Sequence, residues 1–453
     1  MSRQPDMQES VVISDARRRR LFVASCIALV ATALTFAIRG DIMPALRDEF
    51  HLTNEELGTA AGAWAYGFTI SIFIGGQLVD LMGMGRVLAL AFLAHVAGIL
   101  LTIFTGGISA AVSLSPFWLL FVSTLCVGFG NGLVEAAVNP LTATIYPDRK
   151  TEKLNLLHVW FPGGIVIGGL AAYFLTGAHA DWRIKMAIIL GPVALYGFMF
   201  LGQKFPPTER VQQGVSTAGM YRAILRPLFL VMLLCMIMTA STELAPNQWI
   251  PAILTTTAAM SGILILVWIN GLMAIGRAFA GPIVHRLSPI GLLIGSSAFS
   301  AIGLYLLSTA GSRGTAFAAA TIFAIGICYF WPTMLGVTAE RFPAGGALAL
   351  AIIGGTGTLS VAIFTWIMGG FLDKFTAAAV PAGKTLAELQ NAPPTSPDAA
   401  LWTQVQAQGG AMALRYMAIL PVILIVIFSS IWLYDRARGG YKAVQLAAEK
   451  HGD

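Results

Sequence analysis

The sequence predicts an all-α membrane protein of twelve transmembrane helices, arranged as two pseudo-symmetric bundles of six. Hydrophobic residues make up 57% of the 453 residues and charged residues 11%, whereas roughly 25% of the residues in an ordinary soluble domain are charged. Apolar runs of about 18 or more residues recur along the whole chain, and each can cross a hydrocarbon core of ~30 Å as a helix. Short patterns of the first half also return in the second half.

The apolar runs give twelve helices in order along the chain. Their predicted ranges are roughly 21–46, 57–80, 86–105, 116–146, 155–176, 184–203, 227–251, 260–284, 289–308, 315–338, 346–372 and 411–434. A polar central connection divides them into two groups of six. We therefore predict an N-terminal tail, a first bundle, a linker, a second bundle and a C-terminal tail at 1–20, 21–203, 204–226, 227–434 and 435–453.

The last connection between helices, 373–410, is rich in Ala, Pro and Gln. We expect a long outer loop there, with a short helix around Thr385 to Gln390. Two roles remain open for it, a plain connection and a lid over an outer vestibule.

The placement of Lys and Arg orients the helices, because these residues concentrate on the cytoplasmic side of a membrane. With the N-terminus inside, 19 of the 28 Lys and Arg residues fall on the inner side and seven on the outer side. We expect both termini in the cytoplasm and the protein in an inner or plasma membrane, as a monomer in the lipid bilayer. The net charge of +6 then reflects orientation and does not indicate a nucleic-acid partner.

Two short sequence patterns occur at corresponding positions in both halves. "GQLVD" at Gly76 to Asp80 parallels "GPIVH" at Gly281 to His285, and each closes the second helix of its half. Pro140 precedes a Gly-Gly pair by 23 residues, and Pro332 precedes another by 22. A duplicated bundle is the architecture of secondary transporters, whose site lies near the membrane midplane between the halves.

Several function classes are not supported by motifs. The four cysteines lie far apart in apolar runs and form no CxxC pair, which is typical of packed thiols. There is no P-loop lysine and no HExxH, and we expect no cleavable signal peptide. We expect no enzyme activity, no cofactor and no metal site.

The segment "GGQLVDLMGMGR", Gly75 to Arg86, resembles the loop signature of the major facilitator superfamily between the second and third helices. In that superfamily an aspartate and an arginine of this loop brace the inner gate. The resemblance implies that role for Asp80 and Arg86. We expect Arg277, in the eighth helix, to act as a further inner-gate strut that pairs with an acid or a helix end.

Within that superfamily the sequence is similar to the fucose–proton symporter family of sugar transporters. "RGDIMPALRDEFHLT" resembles its first helix, where Asp41 takes the position of a cavity aspartate, and "GNGLVEAAVNP" resembles its fourth helix through Glu135, Asn139 and Pro140. "KLNLLHVWFPGG" is similar to its fifth helix, with His158 in place of a glutamine that faces sugar. "NGLMAIGR", which begins at Asn270, looks like its eighth helix and adds Asn270 to the expected substrate contacts.

Glu135 is a carboxylate in the middle of an otherwise apolar helix. A charge at a helix centre costs at least ~2.5–3.5 kcal/mol on insertion scales, so it persists mainly where it faces water, a partner or a transported species. A buried carboxylic acid also holds a proton more readily than one in water. We expect Glu135 to carry the coupling proton, and the alternative is a structural interhelical hydrogen bond.

Asp41 is the second candidate for proton coupling or for direct sugar contact. Its neighbour Arg39 either reaches the membrane interface or neutralises the charge of Asp41.

Glu243 lies in "TASTELAPNQWIPA", a span interrupted by two prolines that free backbone carbonyls where a cavity exists. Amides donate to and accept from hydroxyls, and an indole face covers the C–H surface of a sugar. We therefore expect Glu243, Asn247, Gln248 and Trp249 to contact substrate, although Trp249 is also typical of an interface anchor.

In the tenth helix, "CYFWPT" offers Tyr329 and Trp331 for stacking on ligand, with packing as the alternative. His158 is expected to contact substrate or to assist proton movement, and a purely structural role is an equally open alternative.

These features favour a secondary active transporter that couples a cation, a proton in the first instance and Na⁺ in the second, to symport of a neutral monosaccharide by alternating access. The alternatives are an uncoupled sugar facilitator, an exporter of an amphiphilic molecule and a non-transporting membrane sensor.

Overall fold

The computed structural model describes residues 13–257 and 262–446, which form helices and no strand. The outer parts of both predicted tails, 1–12 and 447–453, and the predicted start of the eighth helix at 260 lie outside the described residues.

Eleven helical segments of the described chain are long and apolar enough to cross a membrane, and the shorter apolar helix Leu264–Ala278 supplies a twelfth crossing. This confirms the predicted twelve-helix architecture. Spans 1 to 12 are, in order, Asp15–Phe50, Asn54–Met82, Met84–Ile103, Pro116–Ile145, Pro147–Gly177, Trp182–Phe200, Pro227–Thr257, Gly262–Ala278, Ala280–Leu307, Arg313–Arg341, Pro343–Ala378 and Pro397–Ala437.

Four spans consist of two consecutive helices separated by a short break. These are Lys150–Leu157 with Trp160–Gly177, Trp182–Ile188 with Leu190–Phe200, Arg313–Ile327 with Phe330–Arg341, and Pro397–Met417 with Ile419–Ala437. Ser288, with φ 60° and ψ 159°, interrupts span 9. Residues 280–287 therefore extend span 8, and the crossing of span 9 begins at Pro289.

Short helices lie between the spans. They are Thr105–Val112, Glu209–Gln212, Thr217–Ile224 and Leu386–Gln390, whereas the 3-10 turns Pro147–Arg149 and Pro343–Gly345 form the first residues of spans 5 and 11. We call the end of the bundle that holds 204–226 the linker end, and the end that holds 379–396 the loop end. The short helix Leu386–Gln390, capped by Thr385, confirms the prediction for that part of the chain.

The predicted long loop at 373–410 is wrong in extent, because span 11 continues to Ala378 and span 12 begins at Pro397. Ser396 caps the new helix by accepting a hydrogen bond from the Ala399 backbone N–H, and Pro397 occupies the first turn, where its missing N–H costs nothing. The first four turns of span 12, 397–410, include Asp398, Thr403 and three glutamines and contain no continuous apolar run, so hydropathy places the start of the helix too late.

Glycines bring spans 2 and 4 into close contact. A Cβ atom at Gly128 would overlap the backbone carbonyl oxygen of Trp64, and one at Gly132 would overlap the Ser71 hydroxyl. Backbones approach this closely only where small residues face each other, which is the usual packing of membrane helices.

The two echoed glycines lie at equivalent contacts between the halves. Gly76 of span 2 packs against Ala351 of span 11, and Gly281, which extends span 8, packs against Glu152 of span 5. Both contacts lie toward the linker end. The repeat in the sequence therefore corresponds to a pair of surfaces on which the two bundles meet.

We expect Gly128→Ala to lower the melting temperature of the detergent-purified protein, because its methyl group would push spans 2 and 4 apart at a cost of about 1–3 kcal/mol. Gly169→Ala is the matched control, since nothing lies within 4 Å of a Cβ there and both changes raise helix propensity equally. Equal melting temperatures for the two variants would contradict this packing.

Candidate functional site

Glu135 and Asn139 lie one helical turn apart in span 4 and face the same side. The Asn139 side-chain N–H₂ donates to the Glu135 carboxylate at 2.6 Å and to the Glu135 backbone carbonyl at 2.9 Å. Glu135 is only 5% exposed. The carboxylate that interrupts the apolar helix is therefore held in place from within its own helix.

His158 lies at the break of span 5, between the helices Lys150–Leu157 and Trp160–Gly177. Its Nε2 is 3.0 Å from the Asn139 side-chain oxygen and 3.9 Å from a Glu135 oxygen. Because the amide oxygen only accepts, Nε2 carries the proton and donates to Asn139. The longer distance to Glu135 is not a hydrogen bond.

Arg277 of span 8 connects this group to the C-terminal half. Its Nη2 donates to a Glu243 oxygen at 2.7 Å, its Nε to the Cys328 carbonyl at 2.6 Å and its Nη1 to the His158 carbonyl at 3.1 Å. The two carbonyls lie at the breaks of spans 10 and 5, where helix carbonyls lose their intrahelical partners. Arg277 thus makes the pair with an acid that the sequence predicts.

Glu243 is the second buried carboxylate of the site, 3% exposed. One of its oxygens pairs with Arg277 and the other accepts the Trp331 backbone N–H at 3.3 Å. We call Glu135, Asn139, His158, Arg277 and Glu243 the central network. It joins spans 4 and 5 of one half to spans 7 and 8 of the other.

The two carboxylates of the central network are compensated differently. Glu243 is paired with a guanidinium, which stays charged at any physiological pH. The Glu135 carboxylate accepts from the Asn139 amide, the His158 ring lies farther away, and the Arg277 guanidinium acts on it only at longer range. A buried carboxylate without a directly bonded cation is stabilised by binding a proton. The coupling role of Glu135 stays a prediction.

The aromatic residues of the expected substrate contacts lie beside the network but also have packing partners. Trp331 packs against Gly357 of span 11, and the Tyr329 hydroxyl donates to the Gly276 carbonyl at 3.0 Å. The Trp249 indole N–H donates to the Thr365 carbonyl at 3.1 Å. Trp249 therefore braces span 7 against span 11.

The three other amide side chains among the expected substrate contacts differ in whether they are free to bind a ligand. Asn247 is 7% exposed, and its side-chain oxygen has no hydrogen-bond partner in the described chain. Gln248 is exposed, while Asn270 is buried and donates to the Leu266 carbonyl of its own helix. Asn247 is the one with a buried acceptor left to offer a ligand.

Asp41 lies apart from the central network, toward the loop end. Its carboxylate pairs with Lys185 of span 6 at 2.6 Å and accepts from Thr176 of span 5 at 3.3 Å. The countercharge of Asp41 is thus Lys185, and Arg39 does not neutralise it. A coupling role for Asp41 stays a prediction.

Asp80 and Arg86, the two residues that the loop signature assigns to the inner gate, have separate partners. Asp80 accepts from Arg210 at 2.8 Å and from Thr208 at 2.6 Å, both in the linker. Arg86 is exposed and donates to the Met82 carbonyl at 3.4 Å. Arg210 and Lys185 were not predicted, because each lies more than 120 residues from its partner and no local pattern marks it.

Hydrogen bonds between the halves continue from the central network to the linker end. Their partners are Asn155 with Thr333, Lys150 with the Ala339 carbonyl, Thr151 with Glu340, and Glu152 with His285, at 3.2, 3.3, 2.6 and 3.2 Å. These contacts hold the halves together on that side of the site.

Comparisons with known proteins place this architecture in a family. The family model described as Major Facilitator Superfamily matches residues 21–365. The hexuronate transporter of Bacillus subtilis is 23% identical over 317 residues, which cover 64% of this chain and 72% of that protein. The chain spans less than half the length of several other curated relatives, 37 to 46% of their residues.

Two solved structures share the fold. The Escherichia coli fucose–proton symporter FucP superposes with a TM-score of 0.68 at 15% identity, over 90% of this chain and 98% of that one. The proton–xylose symporter XylE gives 0.70 at 13% identity, over 92% and 96%. Together with the family match over most of the chain, the twelve spans and the bundle repeat show that this protein belongs to the major facilitator superfamily.

Proposed function

We propose that the protein is a secondary active transporter and not an enzyme, and that it couples symport of a neutral monosaccharide to a cation, in the first instance a proton, by alternating access. The observation that carries the proposal is the central network, which joins the two halves through a single guanidinium. It holds one carboxylate, Glu243, that is bonded directly to the guanidinium, and one, Glu135, that is bonded to an amide and has no directly paired cation.

Proton binding to Glu135 would change the hydrogen bonds of the whole network. Ionised Glu135 accepts from the Asn139 amide, which in turn accepts from His158. A protonated carboxyl gains a donor and loses part of its attraction for that amide. Because the backbone of His158 also binds Arg277, the protonation state of Glu135 is linked to the contact between the halves.

The groups around the network suit a neutral polyol. The Asn247 oxygen has no partner and can accept from a hydroxyl group, whereas the Asn139 amide and His158 Nε2 would exchange their present hydrogen bonds for ones to hydroxyl groups. The Trp331 indole can cover the C–H face of a sugar ring. Fucose and xylose, in the names of the two symporters of the same fold, and hexuronate, in that of the relative, support a sugar-sized solute.

Alternating access would open the linker end. The pairs Thr151–Glu340 and Glu152–His285 lie between the halves there, and Asp80 binds the linker that joins them. These are small polar contacts, and breaking them costs little compared with separating an apolar core. We assign Asp80 and Arg86 to this gate, with Arg210 as the direct partner of Asp80.

Orientation is part of the proposal. The linker end carries Arg210, Arg222, Arg226, Arg341 and Arg436, and an excess of Lys and Arg marks the cytoplasmic side. We therefore place the linker end and both termini in the cytoplasm of an inner or plasma membrane, with a monomer as the working unit.

We expect Glu135→Gln to abolish gradient-driven sugar accumulation in proteoliposomes while retaining exchange, because glutamine keeps the hydrogen bonds of a neutral acid but binds no proton. Uptake should be measured for a panel of monosaccharides, with pH and Na⁺ gradients imposed separately. Asp373→Asn, an exposed carboxylate at the loop end, is the matched control and should behave like wild type.

Unchanged concentrative uptake by Glu135→Gln would remove Glu135 from coupling. Uptake driven by a Na⁺ gradient and not by a pH gradient would make Na⁺ the coupling ion in place of the proton. Equilibration without accumulation in wild type would indicate a facilitator, and no uptake of any sugar would refute the proposed substrate class.

The Arg277–Glu243 pair should behave as a buried ion pair. Removing one partner, in Arg277→Gln or Glu243→Gln, leaves an uncompensated buried charge at a cost of about 3–5 kcal/mol, and removing both relieves part of that cost. We expect both single variants to melt below wild type and the double variant to melt above either one. A double variant as unstable as the sum of the singles would show that the two charges do not compensate each other.

A further inference from the structure

We propose that residues 439–446, which follow span 12, act as a strap that holds Glu340 in position and thereby keeps the two halves in contact at the linker end. We call these residues the C-terminal strap. Its consequence for transport rests on the proposed alternating access. The strap itself can be tested on the purified protein without any sugar or ion gradient, so its failure is distinguishable from a failure of the proposed function.

Glu340, near the end of span 10, uses its two carboxylate oxygens on different parts of the chain. Its Oε1 accepts from the Thr151 hydroxyl at 2.6 Å and from the Thr151 backbone N–H at 3.1 Å, both in the N-terminal half. Its Oε2 accepts from the Tyr441 hydroxyl of the C-terminal strap at 2.6 Å. One carboxylate therefore connects the N-terminal half, span 10 and the C-terminal strap.

Further contacts fix the C-terminal strap on the end of span 10. The Val444 backbone N–H donates to the Glu340 carbonyl at 2.7 Å, and the Arg341 Cζ lies 4.6 Å from the centre of the Tyr441 ring, a distance at which a ring attracts a cation. Arg341 also pairs with Asp435 in the last turn of span 12. Burial and the adjacent Glu340 carboxylate raise the pKa of Tyr441, so its hydroxyl keeps its proton and donates.

Two glycines turn the chain from the end of span 12 onto span 10. Gly439 and Gly440 have φ angles of 89° and 96°, a backbone region that residues with a Cβ rarely adopt. The Gly440 N–H donates to the Asp435 carbonyl at 2.9 Å, which closes the end of the helix. A Cβ at Gly440 would meet no atom within 4 Å. A substitution there therefore strains the turn without a steric clash.

The C-terminal strap borders a gap between the halves. A cavity of about 630 Å³ lies at the linker end, and Glu152 and His285, from opposite halves, line it together with Glu340 and Tyr441. Polar groups beside such a cavity can exchange a protein partner for water at little net cost. A side chain that is already held in position loses less freedom when it binds across the gap. The Tyr441 hydroxyl therefore favours the contact between Glu340 and Thr151.

Hydrogen–deuterium exchange of the full-length protein in lipid nanodiscs, read by mass spectrometry, tests the C-terminal strap, because a backbone amide exchanges when its contact opens. The reporter is the Thr151 N–H, which donates to Glu340, in peptides that cover 147–157. We expect Tyr441→Phe to speed this exchange about threefold or more, since it removes one hydrogen bond to the carboxylate. Gly440→Ala should act in the same direction by straining the turn.

Tyr434→Phe is the matched control. The Tyr434 ring also lies against an arginine, with the Arg438 Cζ 4.5 Å from its centre, but Tyr434 is exposed and its hydroxyl forms no hydrogen bond within the part of the chain that the structure describes. This variant also removes one tyrosine hydroxyl, and the Thr151 reporter should exchange in it as in wild type.

Tyr441 should act through Glu340 and not independently of it. Glu340→Ala removes the carboxylate that both contacts share, so we expect faster exchange at Thr151 and no further increase when Tyr441→Phe is added. Additive increases would overturn the proposal. So would faster exchange in Tyr441→Phe that is confined to 438–446 and the end of span 10. Should Glu340→Ala not fold, Tyr441→Phe and Gly440→Ala decide the matter, because an unchanged Thr151 reporter in both would equally refute it.

Discussion

The structure depends on one guanidinium at the junction of its two halves. Arg277 is 2% exposed and uses three of its nitrogens on three partners, the Glu243 carboxylate and the carbonyls of Cys328 and His158. Two of those acceptors exist only because spans 5 and 10 are broken where the halves meet, which frees backbone oxygens inside the membrane. The helix breaks and the ion pair therefore form a single arrangement at the contact between the bundles.

The two buried carboxylates of this arrangement differ in how their charges are compensated. Glu243 is compensated by a permanent charge, and the ion pair fixes the position of Arg277. Glu135 is held by an amide and lies near a histidine, so the cost of its burial depends on whether it carries a proton. Because both belong to one hydrogen-bonded chain across the halves, a change of charge at Glu135 would reach the contact between the halves, on which the proposed alternating access depends. The Asp80–Arg210 pair contributes to the closed linker end, at the junction of span 2 with the linker.

Much of the fold could be predicted from the sequence, because hydropathy and helix length are local properties. The twelve crossings, the division into six and six and the short helix at Leu386–Gln390 are of this kind. The sequence likewise predicts functional roles for Glu135, Glu243 and Arg277, because each is a charged residue within an apolar run. Contacts between distant positions could not be predicted: Arg210 lies 130 residues from Asp80 and Lys185 lies 144 from Asp41. The His158 carbonyl is a backbone atom that no side-chain pattern marks. The polar residues scattered over 397–410 interrupt the apolar run, so hydropathy misses the start of span 12.

The central claim is that Glu135 binds the proton while Glu243 stays ionised, and infrared difference spectroscopy of the reconstituted protein between acidic and alkaline pH tests it most directly. The C=O stretching band of a protonated carboxylic acid in an apolar site should be present at acidic pH in wild type and absent in Glu135→Gln. It should persist when Glu243 and Arg277 are replaced together by glutamine. A band that survives Glu135→Gln and disappears with the double replacement would contradict the account.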